Sequence, residues 1–182
     1  MAGSLIKVDE FTVSSAVASV TLGGGSSGSS GLNASIDSTY DVYMVRLNNV
    51  IPDTDSSAVR LRFTVSGSAD TSSNYDDAKK NLRGDSAFSN INNQNLDYIN
   101  LGTNGTGTQE MNNSIMYLFN FNNASEYSFC TIEATTRNND SHLRGFQGGG
   151  VLTVAQATDG VNFSYTSGNI NSGQFVLYGL KK

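Results

Sequence analysis

The chain has 182 residues, enough for one domain that buries a substantial core. Only 15% of the residues are charged and the formal net charge is −5, which disfavours nucleic acid as a partner. With one Cys (Cys130) and one His (His142), the chain offers neither an internal disulfide nor a zinc site built from Cys and His. The sequence contains no run of about 18 apolar residues, so it predicts no membrane-spanning helix. Asn, Ser, Thr and Gly fill roughly 80 positions, far above ordinary usage, which is typical of an all-β domain with many loops.

Alternation of apolar and polar residues predicts most of the strands. In chain order they are residues 5–13, 16–22, 40–50, 58–66, 96–101, 115–121, 127–136, 151–157, 161–165 and 174–180. The clearest alternation is in 58–66, where Val59 and Leu61 share one face. Arg60 and Arg62 share the opposite face. About 8–10 short strands at this spacing predict a jelly-roll-like antiparallel β-sandwich, with a closed barrel as the alternative.

Residues 23–31 are a Gly/Ser run, which predicts a flexible loop. The 22 residues that precede it are too few for a domain of their own. We therefore expect one β-sandwich domain over residues 1–182, with an N-terminal strand or arm at 1–22. A long loop after an N-terminal hairpin and the tether of an arm that docks on a neighbouring subunit both fit this pattern.

Residues 74–84 are the only segment that could form a helix. Asn74 is a suitable N-cap residue and Gly84 a suitable C-terminal stop, with acids near the start and basic residues near the end. The apolar stripe is thin, so a short helix and an excursion between strands remain open.

The residues that could support catalysis are interpreted as structural. His142 lies in a polar, turn-like run, and Cys130 lies in a predicted strand without a basic neighbour in sequence. Acid pairs that could act in glycoside hydrolysis are Asp53/Asp55, Asp76/Asp77 and Glu126/Glu133. Sixteen acidic residues make such pairs common in any sequence of this kind. The two Gly-rich runs at 102–107 and 145–150 lack the Lys-Ser/Thr of a phosphate loop and are read as turns. We expect no enzyme activity, no catalytic residues, no cofactor and no metal.

The C-terminal residues 161–181 carry a resemblance to a known group. They read VNFSYTSGNINSGQFVLYGLK: a strand, Ser-Gly-Asn, a Gly-containing turn and a last strand that ends Leu-Tyr-Gly-Leu-Lys. This resembles virion structural proteins of tailed bacteriophages, of the marine and cyanophage type. The N-terminal half resembles the same group in its strands at 5–13 and 59–65 and in Tyr40-Asp41-Val42-Tyr43.

The resemblance implies a non-enzymatic β-sandwich of the capsid or tail surface, made in the host cytoplasm. The expected function is that of a capsid decoration (cement) protein, with the major capsid protein or tail proteins as partners and a homotrimer or other cyclic homo-oligomer as its state. The segment 115–121 is apolar on both faces, so we expect an interface there. The candidate interface residues are Ile115, Tyr117, Phe119, Phe121, Arg60 and Arg62.

Three alternatives remain open. A tail, fibre or baseplate module would contact the host. A jelly-roll carbohydrate-binding module would present aromatic side chains in a cleft, with Tyr98, Phe146 and Tyr165 as candidates. A hydrolase that uses one of the acid pairs is the third and ranks last.

Overall fold

The computed structural model describes residues 4–24 and 35–181, which form two antiparallel sheets. The larger sheet has eight strands, in the order β1 (Ser4–Val13), β13 (Ile170–Lys181), β3 (Val42–Pro52), β9 (Asn112–Phe119), β10 (Ser128–Arg137), β11 (Leu143–Leu152), β6 (Tyr75–Arg83) and β7 (Ser89–Leu96). The smaller sheet contains β2 (Ser19–Gly23), β12 (Gly160–Tyr165) and β4 (Ser57–Val65), with β5 (Ser68–Ala69) and β8 (Ile99–Asn104) both pairing with β4. Most of the predicted Gly/Ser loop, from residue 25 onward, lies outside the described residues.

The strand order is that of a jelly roll. Four strands of the larger sheet, β1-β13-β3-β9, are opposed by β2-β12-β4-β8 of the smaller sheet, and the two sets share one core. Counted along the chain, these eight strands pair as 1-8-3-6 and 2-7-4-5, the jelly-roll pattern. Two added hairpins, β6-β7 and β10-β11, extend the larger sheet beyond β9. The predicted all-β, jelly-roll-like sandwich is confirmed, and the described residues contain thirteen strands where 8–10 were expected.

The helix considered for residues 74–84 is wrong, because this segment forms β6. Tyr75, Asp77 and Lys79 are buried, whereas Ala78 and Lys80 are exposed, so the side chains alternate with the period of a strand. The alternation is hidden in the sequence because the buried side is largely polar.

The turn predicted for the Gly-rich run 145–150 is wrong, because this run is the middle of β11. It pairs with β10 on one side and with β6 on the other along its whole length. A Cβ at Gly150 would lie 2.6 Å from Cδ1 of Ile99, so the glycine allows β8 to pack closely against this strand.

The core lies between the two sheets and contains several large aromatic side chains. The Phe163 and Phe175 rings lie 5.4 Å apart across the sheets. Gly24, just after β2, and Ile36, before β3, are held by the same carbonyl. Their amides donate to the carbonyl of Asp159 at 2.6 and 2.8 Å. The first and last strands, β1 and β13, pair over nearly their full length.

Candidate binding surface

The outer side of the larger sheet carries the largest group of exposed apolar side chains among the described residues. Ile115 and Tyr117 project outward from β9 and are each 39% exposed, and Phe119 lies on the same side. Met116 and Leu118 point the other way and are buried in the core. The strand 112–119 therefore has two apolar faces, as its sequence predicts, and one of them is open.

Neighbouring strands continue this surface. Phe129 of β10 pairs with Phe119 and is itself exposed. Leu143 at the start of β11 and Phe88 before β7 are 62% and 61% exposed, and both border the same hollow as Ile115. We call this set the outer apolar face. It consists of Ile115, Tyr117, Phe119, Phe129, Leu143 and Phe88.

Two shallow hollows lie along β11 on this side of the sheet. The first, of about 680 Å³, is bordered by Ile115, Leu143 and Phe88. The second, of about 640 Å³, is bordered by Phe129 and by polar side chains of β6 and β7. Gly145 lies in the first hollow and Gly149 in the second, so the strand offers no side chain to fill either of them.

The charges on this face are mixed in sign. Arg46, Ile115 and Glu133 are cross-strand neighbours on β3, β9 and β10. The Arg46 guanidinium lies 5.9 Å from the ring centre of Tyr178, and its buried Nε has no hydrogen-bond partner among the described residues. A partner that meets this face would therefore contact apolar surface flanked by one positive and one negative group.

Three of the six predicted interface residues share this surface: Ile115, Tyr117 and Phe119. Phe121 does not. It follows Asn120, whose φ of 60° turns the chain at the end of β9. Its ring lies 4.7 Å from that of Phe63 and packs against the core.

Arg60 and Arg62 lie on the other sheet and are bound within the chain. Arg62 donates to the carbonyl of Asp97 at 2.7 Å and forms an ion pair with its carboxylate. Arg60 donates to the carbonyl of Thr166 at 2.6 Å. The two guanidinium groups lie 5.4 and 5.9 Å from the ring centre of Tyr98. These arginines hold the segment before β8 against β4, and they are not part of the outer apolar face.

The aromatic cleft considered for sugar binding does not form from the residues named for it. Phe146 and Tyr165 are 7% and 4% exposed and belong to the core. The Tyr165 hydroxyl donates to Oδ1 of Asn104 at 3.0 Å. Tyr98 is half-buried between the two arginines.

Cys130 and His142, the residues considered for catalysis, lie in surroundings that are typical of structural residues. Burial raises the pKa of the Cys130 thiol to about 12, which disfavours a thiolate. His142 Nε2 lies 4.0 Å from the Asp85 carboxylate, which also pairs with Arg83. The Arg83 guanidinium lowers the pKa of Asp85 to about 2.

Two of the three acid pairs are separated or hydrogen-bonded within the chain. Asp76 points to the outer side of the sheet and Asp77 to the buried side, as neighbours in a strand must. Asp53 accepts hydrogen bonds from the amide and the side chain of Asn169 at 2.7 and 2.9 Å, and the amide contact is the main cause of its lowered pKa. This contact fixes the Ser-Gly-Asn turn that precedes β13.

Residues 4–24 and 35–181 contain no group of three or more His, Cys, Asp or Glu side chains placed to hold a metal ion. The same residues contain no helix long and apolar enough to cross a membrane. Comparisons of the chain with protein-family models, curated proteins and solved structures found no match.

Sequence reasoning missed Phe88, Leu143 and the two glycine hollows. Phe88 and Leu143 lie outside the predicted strands, so no local pattern shows which surface they join. The sequence does indicate the outward orientation of Phe129, because Phe129 lies on the opposite side of β10 from buried Cys130 and Ile132.

Proposed function

We propose that the chain is a non-enzymatic structural protein of a tailed-bacteriophage virion, and specifically a capsid decoration protein. The observation that carries the proposal is the outer apolar face, with Phe88 and Leu143 each more than 60% exposed. Contiguous exposed apolar surface of this kind marks protein interaction sites. The jelly roll is a fold that viral capsid proteins use, which supports the proposal at the level of the fold alone.

The proposed partner is the assembled shell of the major capsid protein. Ile115 and Tyr117 would contact the shell, and the neighbouring Arg46 and Glu133 would fix the orientation through charge-assisted hydrogen bonds. Many copies on a symmetric lattice bind with avidity even when each contact is weak. A homotrimer or another cyclic oligomer would match the symmetry of such a lattice.

The test is binding of purified chain to shells that lack it, measured by co-sedimentation. Tyr117→Lys and Phe129→Lys place a charge within the outer apolar face. Thr106→Lys places the same charge at an exposed turn residue away from it. We expect each of the first two variants to bind about tenfold or more weakly, because central aromatic residues contribute most to interfaces. Thr106→Lys should bind like the wild type.

Equal binding by all three variants, with unchanged thermal unfolding, would contradict the proposal. A tail, fibre or baseplate location would instead give binding to tails and none to shells. Because the same variants serve for both particles, one set of proteins separates the two locations.

A carbohydrate-binding module is the second candidate, and one observation favours it. The hollow over Gly149 combines the exposed Phe129 ring with the side chains of Asp76, Asn92 and Gln94. Ring stacking and several neutral or acidic polar groups are suited to a sugar. This candidate predicts that glycans of the host surface shift the NMR signals of Phe129 and Asn92, and that Asn92→Ala weakens the binding. Shifts confined to other surfaces, or none, would contradict it.

A further inference from the structure

A buried amine, a buried carboxylate and a half-buried carboxamide form a connected group on the inner side of β6 and β7. Lys79 Nζ donates to Oδ2 of Asp77 at 2.5 Å. Asn93 Nδ2 donates to Oδ1 of the same carboxylate at 2.8 Å. The side chains of Lys79 and Asp77 are 1% and 0% exposed. One carboxylate thus bridges an amine and a side-chain amide in the interior of the protein.

The register of the hairpin brings the amine and the amide together. Asp77 pairs directly with Asn93, and Lys79 pairs with Ile91 two residues further along. Lys79 and Asn93 are therefore diagonal neighbours on one side of two adjacent strands, a spacing that long side chains can span. Both residues border the same cavity of about 180 Å³, so space exists for the two groups to meet.

The surroundings make the Lys79 ammonium easier to deprotonate. Burial lowers the pKa of Lys79, against the opposing effect of the Asp77 carboxylate. The cavity also contains polar atoms without partners. Among the described residues nothing hydrogen-bonds to Oδ1 of Asn81, whose side chain is buried, or to Nε of Arg144.

We propose that Lys79 and Asn93 form an intramolecular isopeptide bond, with Asp77 transferring the protons. Asp77 first accepts a proton from the Lys79 ammonium, which leaves a neutral amine and a carboxylic acid. The Nζ lone pair then attacks Cγ of Asn93, and a new C–N bond forms. Asp77 delivers its proton to Nδ2 and takes a second proton from Nζ.

The step is balanced without an oxidant, a reductant or a co-reactant. The bond between Cγ and Nδ2 of Asn93 breaks, and Nδ2 leaves as ammonia. Asp77 then gives the second proton to the ammonia, so the products are an amide and an ammonium ion. Asp77 returns to its starting state as a carboxylate. The escape of ammonia to solvent drives the exchange of one amide bond for another.

The bond would fasten an edge strand. β7 ends the larger sheet, pairs only with β6 in that sheet and has mostly exposed or half-exposed side chains. A covalent link from its middle to β6 would prevent the edge from separating, which is where local unfolding of a sheet of this kind starts.

The experiment is intact-mass spectrometry of the purified full chain. The expected mass is lower than the mass of the sequence by about 17 Da, the mass of ammonia. Lys79→Arg and Asn93→Ala should each show the full mass calculated for the variant. Asn92→Ala, on the outer side of the same strand, should keep the loss. Asp77→Asn should show little or none, because the proton carrier is gone.

Peptide mapping separates the cross-link from cyclisation of an Asn-Gly pair, which also loses ammonia. Trypsin does not cleave after an acylated Lys, so residues 63–80 should appear joined to residues 84–137. A wild-type chain that is folded and has the unmodified mass would overturn the proposal. So would a mass loss that maps to Asn104-Gly105 within an unbranched peptide. The measurement on the wild type decides the matter even where a variant fails to fold.

Discussion

Replacing Tyr75 by Phe tests how the two sheets are joined. The Tyr75 side chain on β6 is fully buried, and its ring lies 5.7 Å from that of Phe63 on β4. The amide of Phe63 donates to the Tyr75 hydroxyl at 3.0 Å, and the hydroxyl donates to the carbonyl of Asp70 at 3.1 Å. Along this edge of β4, β8 pairs as far as Leu61 and β5 begins at Thr64. The Tyr75 hydroxyl therefore accepts a hydrogen bond from the one β4 amide, that of Phe63, that lies between the pairings with β8 and β5.

The expected cost follows from the group that loses its partner. Phenylalanine keeps the ring and its packing, so the loss is confined to the hydroxyl. A buried amide left without an acceptor costs about 1–3 kcal/mol. For a chain of this length, each kcal/mol lowers Tm by about 2–4 °C. A loss of about 2 kcal/mol therefore predicts a Tm lower by about 4–8 °C.

The assay is thermal unfolding followed by circular dichroism, with urea unfolding as a second measure. Tyr117→Phe is the matched control, because it removes the same atom from an exposed side chain of the outer apolar face. The control should unfold within about 0.5 kcal/mol of the wild type. If Tyr75→Phe and Tyr117→Phe unfold at the same temperature, the hydroxyl does not join the sheets as described.

Three further predictions concern buried and paired groups. The Cys130 thiol, with its pKa raised by burial to about 12, should not react with a thiol reagent at pH 8 in the folded chain and should react fully in denaturant. Carboxyl NMR should titrate Asp85 near pH 2, and Arg83→Gln should return the midpoint towards about 4. Stabilisation by this pair is then present above about pH 4 and is lost as the pH falls towards 2. Asn104→Ala removes bonds to two backbone carbonyls and to the Tyr165 hydroxyl, and should lower the free energy of unfolding by about 2–4 kcal/mol in urea.

The sequence predicts those strands whose buried side is apolar. Residues 58–66 alternate cleanly, and β4 lies at 57–65. The segment at 74–84 is ambiguous because its buried side contains Asp77 and Lys79, which contact one another in the interior. That pairing arises in three dimensions, so local periodicity does not reveal it.

The outer apolar face is also predictable from the sequence only in part. Alternation places Ile115 and Tyr117 on one side of their strand, and the jelly roll leaves that side open. The contribution of Phe88 and Leu143 depends on where two added hairpins fold, which no nearby residue specifies. The sequence correctly places Arg60 and Arg62 on one face of their strand. Their partners, Thr166 for Arg60 and Asp97 for Arg62, lie 106 and 35 residues away along the chain.

The central claim is a structural role in the virion, and copy number in purified particles tests it most directly. Quantitative mass spectrometry should measure the chain against the major capsid protein. A decoration protein predicts one copy, or a simple fraction of one, per capsid subunit. A few tens of copies or fewer per particle would contradict decoration and favour a tail or fibre module. Absence from the particles would contradict the virion assignment altogether.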